Sequence, residues 1–499
     1  MYFLGFDIGS SSVKASLIDG VSGKLIAADT SPQNEMKIDA PRPGWAEQDP
    51  ALWWDNVKAA TASVLAAAQK QGIQVDIKAI GIAYQMHGLV LVDKDQKVLR
   101  PSIIWCDSRA GEIGGKAFAA IGEKKCLEHL LNSPGNFTAS KLKWVQENEP
   151  GIYNRIHKFM LPGDYIAMKM SGSIQSTVEG LSESILWDFK QENVADLLLK
   201  HYTISSSLLP EIVDTFSVQS ELSAAAAKEL GLKAGTKITY RAGDQPNNAF
   251  SLNVLNPGEL ATTAGTSGVI YGVTDKSLYD EQSRVNPFVH VNHKKENPRY
   301  GVLLCVNGTG IVNSWMKQFL SISGPISYEG MNALAAKAPA GSEGLLFFPF
   351  GNGAERIFRD KNIEASVTNF QFNTHSASHM LRAAQEGIVF ALNYGLDIMK
   401  PMGVNPKVIR AGEANMFLSP IFRETFASLT GATIELYNTD GSQGAARGAG
   451  VGFGYYKNFS EAFRNLKIVK TIEPDKKSAA VYKECYDKWL SELNKKISN

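Results

Sequence analysis

The sequence predicts an α/β protein made of two similar halves with a cleft between them. Three observations lead to this prediction. A short glycine-hydroxyl pattern occurs twice, about half a chain apart, and each copy lies between strand-like apolar runs. Strand-like and helix-like segments alternate within each half. At 499 residues, the chain is too long for one hydrophobic core, so two or three domains are expected.

The repeated pattern predicts two β-hairpins whose tips bind phosphate. Residues 7–13 read Asp-Ile-Gly-Ser-Ser-Ser-Val, and residues 263–269 read Thr-Ala-Gly-Thr-Ser-Gly-Val. Glycine followed by hydroxyl residues offers backbone N–H and side-chain O–H donors without bulk, which suits a phosphate group. Asp7 in the first copy is matched by Thr263 in the second. Only the first tip therefore carries a carboxylate that can help to hold a divalent cation.

Capping signals and apolar spacing predict further elements. Asp49 is a good N-cap and Pro50 suits the first helical position, so a helix is expected over 53–69. Apolar residues at helical spacing predict a helix over 376–399. The other predicted elements are a helix over 419–429 and strands over 79–83, 89–92 and 408–411.

The domain boundary has to be inferred from the repeat, because no low-complexity linker divides the chain. The segment 237–248 lies just before the second hairpin. We therefore expect an N-terminal domain over 1–249 and a C-terminal domain over 250–499.

Composition and charge indicate a globular, cytoplasmic protein. Hydrophobic residues make up 44% of the chain and charged residues 20%, which is ordinary for a folded domain. The formal net charge of +1 gives no electrostatic reason to bind nucleic acid or an anionic membrane. No secretory signal and no apolar run of transmembrane length is recognisable. Scattered cysteines without a Cys-x-x-Cys pair suit a reducing compartment: Cys106, Cys126, Cys305 and Cys485.

A candidate general base lies between the two halves. A β-like run over 238–240 is followed by a glycine, then Asp244 and the amide residue Gln245. Phosphoryl transfer to an alcohol needs a carboxylate within reach of the hydroxyl proton. On local sequence alone, an Asp that only caps the next helix is equally plausible. The position of Asp244 between the halves favours catalysis.

Three segments carry weaker signals for ligand binding. Residues 84–88 read Tyr-Gln-Met-His-Gly at a strand end, where His87 could bond to a polar ligand, although such a histidine is more often structural. Trp105 could form a flat wall against a small ligand, with core packing as the default. The small-residue turn within 409–415 would let a flat heterocycle approach the backbone.

Other patterns receive structural interpretations. Asp107 and Arg109 could form an exposed pair. His375 and His379 have metal-ligand spacing but no Glu or Cys close in sequence, so ligation is not expected. The glycine-rich run at 448–452 lacks the frame of a dinucleotide loop and predicts a tightly packed helix of small residues.

Together these segments resemble the FGGY family of carbohydrate kinases over essentially the whole chain. Residues 85–88, Gln-Met-His-Gly, are similar to the sugar-contacting motif of members that phosphorylate xylulose, and unlike the Arg-Glu pair of those that phosphorylate glycerol. The other matching segments are the first phosphate motif at 6–14, a common segment at 43–50, the first family signature at 136–144, the base motif at 243–244, the second phosphate motif at 262–268 and the adenosine motif at 411–415.

The resemblance implies two ribonuclease-H-like domains of the actin and sugar-kinase type. It also implies ATP, Mg²⁺, a small-molecule sugar substrate and, more loosely, a homodimer. Asp244 would be the general base, and Asp7 would lie near Mg²⁺, with Asp244 as a second ligand through water. The implied sugar-binding residues are Met86, His87, Trp105, Asp244 and Gln245. The implied ATP-binding residues are Gly9, Ser10, Ser11, Gly265, Thr266, Ser267, Gly310, Gly412, Glu413 and Asn415.

The activity implied by the resemblance is in-line phosphorylation of the terminal hydroxyl of D-xylulose by ATP. Two departures leave the sugar open. Gln245 stands where similar enzymes commonly have Asn, and Arg-Ala-Gly at 410–412 replaces a frequent Gly-Gly-Gly. One alternative is a family kinase for gluconate, L-ribulose, L-fuculose or a polyol. Another is an actin-like ATPase without a sugar substrate, and a third is a silent sugar sensor, which the presence of Asp7 and Asp244 disfavours.

Overall fold

The structure is a computed structural model that describes residues 1–498, apart from the side chain of Ser323. Packing divides the chain into two units, neither of which is continuous in sequence. The first unit contains Met1–Asn253, Phe288–Arg299 and Thr439–Leu466. The second contains Val254–Pro287, Tyr300–Asn438 and residues 467–498. The proposed division into 1–249 and 250–499 stays a prediction.

The first 253 residues contain fourteen strands and ten helices. The strands are β1 (Tyr2–Ile8), β2 (Val13–Asp19), β3 (Leu25–Ser31), β4 (Glu47–Gln48), β5 (Ile77–Tyr84), β6 (Val90–Val92), β7 (Ser102–Ile103), β8 (Lys158–Met160), β9 (Gln175–Thr177), β10 (Trp187–Asp188), β11 (Asn193–Val194), β12 (Glu211–Val213), β13 (Phe216–Glu221) and β14 (Lys237–Gly243). The helices are α1 (Pro50–Lys70), α2 (Gly111–Ile121), α3 (Glu123–Leu130), α4 (Thr138–Asn148), α5 (Pro150–Tyr153), α6 (Pro162–Ser171), α7 (Val178–Glu183), α8 (Asp196–Tyr202), α9 (Ala224–Leu230) and α10 (Asp244–Ser251).

Residues 254–498 contain nine strands and seven helices. The strands are β15 (Leu260–Ala264), β16 (Gly268–Thr274), β17 (Asn286–Val289), β18 (Tyr300–Val306), β19 (Leu346–Phe348), β20 (Ser366–Thr368), β21 (Val408–Gly412), β22 (Thr433–Tyr437) and β23 (Ile468–Ile472). The helices are α11 (Gly310–Leu320), α12 (Tyr328–Ala335), α13 (Ala377–Met399), α14 (Pro420–Thr430), α15 (Gly441–Gly452), α16 (Phe459–Ala462) and α17 (Lys476–Ser498).

The elements predicted from capping and spacing are confirmed. The Asp49 carboxylate accepts the Ala51 N–H at 2.9 Å, and Pro50 is the first residue of α1. The apolar spacing over 376–399 corresponds to α13. The remaining predicted elements are also present, with boundaries that differ by at most a few residues. They are strands β5, β6 and β21 and helix α14.

The two units contain similar sheets, as the repeat predicts. In the first, the order is β13-β14-β5-β1-β2-β3, with β5 parallel to both β1 and β14 and with β1 and β2 forming a hairpin. In the second, β22-β21-β15-β16-β18 repeats the order β14-β5-β1-β2-β3. Again the hairpin, here β15 and β16, is antiparallel, and its first strand pairs with a parallel strand, β21.

Helix α15 belongs to the first unit although it comes from the second half of the sequence. It packs on the first sheet so closely that side chains are excluded. A Cβ on Gly5 would lie 2.1 Å from the Ser442 carbonyl oxygen, and one on Gly81 would lie 2.0 Å from that of Ala445. The predicted tightly packed helix of small residues is therefore confirmed.

Each unit has its own hydrophobic core. Trp53 of α1 lies in the first core, and Trp489 of α17 lies in the second. The four cysteines are free thiols. Within residues 1–498, no helix has both the length and the apolar character needed to cross a membrane.

Candidate active site

The parallel strands of the first unit bring the predicted catalytic and sugar-binding residues to one edge of the sheet. In the register, Ile8 of β1 pairs with Tyr84 of β5, and Tyr84 pairs with Gly243 of β14. The three strands therefore end at the same level. Asp7 is the last residue but one of β1, whereas the segment 85–87 directly follows β5 and Asp244 directly follows β14. Open α/β sheets bind their ligands at this edge.

The first hairpin tip is a closed turn held by its neighbours. The Gly9 N–H donates to the Ser12 carbonyl oxygen at 3.0 Å. The Gln48 side-chain amide donates to the Ser10 carbonyl oxygen at 2.6 Å, and the Trp105 indole N–H donates to the Ser10 hydroxyl at 3.2 Å. Trp105 is 46% exposed, so core packing was the wrong default for it.

Acidic side chains gather at this edge. A Cβ on Gly441, at the start of α15, would lie 2.4 Å from Asp7 Oδ2, so Asp7 lies against that helix terminus. Burial, followed by the charge of Asp440, raises the pKa of Asp7, while Lys14 opposes this shift. Burial, followed by the charge of Asp7, raises the pKa of Asp244 to about 7.

Asp244 is the first residue of α10, and Gly243 occupies the N-cap position. The capping alternative is therefore wrong, because the side chain of Asp244 does not serve as the helix cap. The Gln245 side-chain amide donates to Asp244 Oδ2 at 3.1 Å. Gln245 thus helps to orient the carboxylate through both its side chain and its backbone N–H.

Met86 contacts the residue that precedes Asp244, and His87 is fixed in place by its own neighbours. A Cβ on Gly243 would lie 2.6 Å from Met86 Cγ, which shows how closely Met86 covers that peptide. His87 has φ 61°, and its Nδ1 lies 2.9 Å from the Glu183 carbonyl oxygen. Because a carbonyl only accepts, Nδ1 carries the proton. Burial and the nearby Lys141 lower the pKa of His87 to about 3, so the ring is neutral and Nε2 is an acceptor.

Three buried groups that contact the backbone of His87 or Gly243 were missed by the sequence analysis. Glu183 accepts the His87 N–H at 3.0 Å, and Glu179, one turn earlier in α7, accepts the Gly243 N–H at 3.2 Å. Lys141 donates to the His87 carbonyl oxygen at 2.9 Å. The i, i+4 spacing of the two glutamates places them on one helix face, but nothing in the sequence indicates what that face contacts.

The donor set in the first unit suits a hard cation. Asp7, Asp244 and Asp440 supply carboxylate oxygens, which Mg²⁺ prefers. Burial and, after it, a neighbouring carboxylate raise the pKa of Asp7 and of Asp244, and a cation would relieve the repulsion between these groups. Among residues 1–498, no three His, Cys, Asp or Glu side chains are already grouped to hold a metal ion. Protein sites usually hold Mg²⁺ through one or two carboxylates, with water and substrate phosphates completing the shell.

The second hairpin tip lies within the second unit and is held by helix α11. The Gly310 N–H donates to the Gly265 carbonyl oxygen at 2.8 Å, and the Ile311 N–H donates to that of Thr266 at 3.1 Å. A Cβ on Gly310 would lie 2.3 Å from the Gly265 carbonyl oxygen, so this approach requires glycine. The Asn415 side chain also lies beside Gly265, because a Cβ built on Gly265 would be 3.6 Å from Asn415 Nδ2. The tip residues, Ser267 included, thus gather with Gly310 and Asn415.

Strand β21 ends next to this tip, because its residues pair in parallel with β15. Gly412 is the last residue of β21, and the Glu413 N–H donates to the Tyr437 carbonyl oxygen at 3.0 Å. A buried carboxylate that the sequence analysis missed, Glu355, accepts the Asn307 N–H at 3.0 Å. It fixes the turn that leads to α11. Burial raises the pKa of Glu355 to about 7.

The structure corrects the interpretation of Asp107 and Arg109. Their ion pair is buried, at 2.6 Å, and Arg109 also contacts Glu47 at 2.7 Å and stacks over Trp45. This cluster connects the 43–50 segment to residues 104–109 and has a structural role.

His375 and His379 have an acidic neighbour that the sequence did not reveal. The Glu343 carboxylate lies 3.3 Å from His379 Nε2. The Nδ1 atoms of the two rings accept the N–H groups of Gln371 and Ser376, so neither Nδ1 is available to a metal.

Comparison with known proteins identifies the two halves. The model of the FGGY family of carbohydrate kinases, N-terminal domain, matches residues 2–251, and that of the C-terminal domain matches residues 260–451. Xylulose kinase of Escherichia coli K12 is 28% identical over 486 residues, covering 96% of each chain. L-xylulose/3-keto-L-gulonate kinase of the same strain is 29% identical over 498 residues, covering 98% of this chain and 96% of that one.

Solved structures support the same architecture. The ligand-bound xylulose kinase from Lactobacillus acidophilus superposes with a TM-score of 0.89 at 24% identity, covering 99% of this chain and 98% of that one. Together with the two family-model matches, this likeness confirms the predicted two-domain α/β fold of the actin and sugar-kinase type.

Proposed function

Because this chain belongs to the FGGY family of carbohydrate kinases, we propose that it transfers the γ-phosphoryl group of ATP to the terminal hydroxyl of D-xylulose. The observation that carries the proposal is the shared edge of β1, β5 and β14, which gathers Asp7, the Met86–His87 pair and Asp244. The full-length similarity to xylulose kinases supports the choice of sugar.

Asp244 is the proposed general base. Its carboxylate is oriented by Gln245, and its pKa of about 7 lies near the pH at which a base is most effective. It accepts the hydroxyl proton while the sugar oxygen attacks the γ-phosphorus in line. General-base assistance of this kind is worth about 10²- to 10⁴-fold in rate. Positioning and charge stabilisation supply the rest.

The sugar is proposed to contact Met86, His87, Trp105, Asp244 and Gln245. Neutral His87 offers Nε2 as an acceptor for a sugar hydroxyl, and Met86 supplies an apolar surface. The half-exposed indole of Trp105 can stack on the C–H face of the open-chain sugar. An acceptor, an apolar surface and a carboxylate together suit a small polyhydroxyl substrate.

Each hairpin tip carries residues that are proposed to contact ATP. The phosphates would meet the N–H and O–H donors of Gly9, Ser10, Ser11, Gly265, Thr266 and Ser267. Gly310, Gly412, Glu413 and Asn415 would border the rest of the nucleotide. Asp7, with Asp244 through water, would hold Mg²⁺, which supplies neutralisation of charge on the phosphates when bound.

A sugar panel in a coupled ADP-release assay tests this function. We expect D-xylulose to give the highest kcat/KM among D-xylulose, L-xylulose, gluconate, L-ribulose, L-fuculose and a polyol. The similarity to L-xylulose/3-keto-L-gulonate kinase makes L-xylulose the most informative competitor. A higher kcat/KM for another sugar would assign the same chemistry to that sugar. ADP release that is equally fast without any sugar would instead support an actin-like ATPase. Cytoplasmic location and a homodimer stay predictions.

A further inference from the structure

Helix α7 lies outside the strand ends that form the candidate site, yet two of its side chains contact the site backbone. Glu179 and Glu183 are four residues apart and both are fully buried. Burying a carboxyl group without a hydrogen-bond partner costs free energy. The groups that these two carboxyls contact therefore indicate what the glutamates do. Each accepts one backbone N–H, and each of those N–H groups belongs to a different part of the site.

Glu183 fixes the backbone of His87. Its Oε2 accepts the His87 N–H at 3.0 Å, and its carbonyl oxygen accepts the His87 Nδ1 proton at 2.9 Å. His87 has a left-handed backbone, with φ 61°, which is strained for a residue other than glycine. The two contacts together hold both this conformation and the ring tautomer that leaves Nε2 as an acceptor.

Glu179 fixes the peptide that precedes Asp244. Its Oε2 accepts the Gly243 N–H at 3.2 Å, and a Cβ on Gly243 would lie 3.3 Å from its Oε1. Gly243 is the N-cap of α10, and Asp244 is the first residue of that helix. The direction in which the Asp244 carboxylate leaves the strand end therefore depends on the Glu179 contact.

We propose that Glu179 and Glu183 are positioning residues, with Glu183 setting the sugar-binding geometry of His87 and Glu179 setting the direction of the base Asp244. This inference rests on the proposed sugar-kinase function. It assigns different kinetic roles to two glutamates on one face of one short helix.

The surroundings of the pair favour neutral carboxyl groups. Burial raises the pKa of Glu179 to about 8, and burial together with Glu179 raises that of Glu183. The acidic groups Asp164 and Asp244 and the Tyr84 hydroxyl also face the pair, whereas Lys141 is the cation close to Glu183. Glutamine has nearly the same shape and keeps an acceptor oxygen, so it should replace a neutral glutamate in this role.

Steady-state kinetics with single variants tests the proposal. For Glu183→Ala, we expect the KM for the sugar to rise about tenfold or more, with kcat changed less than about threefold, because a lost hydrogen bond loosens the sugar contact. For Glu179→Ala, we expect kcat to fall about tenfold or more, with the sugar KM changed less than about threefold. Glu179→Gln and Glu183→Gln should remain within about threefold of wild type in both constants.

Leu181→Ala is the matched control. Leu181 is a buried apolar residue of the same helix, so its truncation should lower thermal stability without separating KM from kcat. If the alanine variants do not fold, Glu179→Asp and Glu183→Asp provide the same comparison, because a shorter side chain withdraws the acceptor while keeping the carboxyl group.

Equal changes in KM and kcat at both positions, or no rescue by glutamine, would overturn the positioning roles. So would alanine variants that behave like Leu181→Ala. The wild-type sugar panel separates the two possible failures. Without turnover of any sugar, the proposed function fails and this inference fails with it. With turnover but no KM–kcat separation, only the positioning roles fail.

Discussion

The two hairpin tips have the same topology but different surroundings. Each joins the first strand of its sheet to an antiparallel partner, and each hairpin pairs with a parallel strand on its other side. The first tip lies near Asp7 and Asp440, whereas Thr263 replaces the carboxylate in the second. A duplicated scaffold thus provides one environment suited to a cation and one suited to neutral donation to phosphate.

The units are more alike in how they hold their loops. In the first, Glu179 and Glu183 accept N–H groups at the ends of β14 and β5. In the second, Glu355 accepts the Asn307 N–H, just after β18. In both units a buried carboxyl group accepts a backbone N–H at a strand end close to residues that are proposed to bind a ligand. The two tips therefore differ in charge and in what holds them, while both units use a buried carboxyl group at the end of a strand.

The largest effect is expected at Asp244, which follows β14 in the first unit. Asp244→Ala should lower kcat by about 10²- to 10⁴-fold because the general base is removed. ATP affinity, measured by calorimetry, should stay within about threefold because the nucleotide is proposed to bind elsewhere. The exposed Asp196→Ala is the control. Turnover within about tenfold of wild type would remove Asp244 from the mechanism.

The matched positions Asp7 and Thr263 test the electrostatic difference directly. Asp7→Asn should lower kcat/KM by about 10- to 100-fold and raise the Mg²⁺ concentration needed for half-maximal rate, because a carboxylate ligand is lost. Thr263→Ala should change both by less than about threefold. Equal Mg²⁺ requirements in the two variants would contradict a cation role restricted to the first tip. Titration of the rate with Mg²⁺ measures this.

A smaller effect is expected where helix α11 meets the second tip. Gly310→Ala would place a Cβ 2.3 Å from the Gly265 carbonyl oxygen, so the tip must move. We expect the KM for ATP to rise about tenfold while the sugar KM stays within about twofold. Gly115→Ala, which meets open space on a helix, is the control. If the KM for the sugar rises and the KM for ATP does not, the second tip does not take part in nucleotide binding.

The smallest effect concerns stability and pH. Burial raises the pKa of Glu179 from 4.5 to about 8, so the unfolded chain loses this proton at lower pH than the folded protein does. Wild-type stability contributed by this group therefore falls as pH rises from about 4.5 to about 8 and is level above that. Glu179→Gln lacks this loss. The difference between the melting temperature of Glu179→Gln and that of wild type should therefore grow by about 2 °C or more as the pH rises from about 4.5 to about 8. A difference independent of pH would show that Glu179 ionises normally.

Local sequence patterns predicted the helices and strands well. They did not predict contacts between residues that are distant in sequence. The glycine-hydroxyl tips and the Asp49 cap depend on neighbouring residues, so the sequence reveals them. The approach of Glu183 to His87 joins residues 96 positions apart and depends on the register of the whole sheet. Two expectations about burial were wrong. The Asp107–Arg109 pair, expected to be exposed, is buried against Trp45, and Trp105, expected to pack in the core, is half exposed. Side-chain type alone does not reveal which surface a loop presents.

The position of α15 in the sequence has a consequence for biosynthesis. The sheet of the first unit is covered by a helix that begins at Gly441, almost two hundred residues after β14 ends. During translation, the N-terminal half leaves the ribosome before that helix has been made. The apolar surface of the sheet that the helix covers therefore stays exposed until then. The glycines at positions 5 and 81 leave no side chain there to substitute for the missing partner. Chaperone capture of ribosome-bound chains should therefore end only after the segment 441–452 has left the exit tunnel.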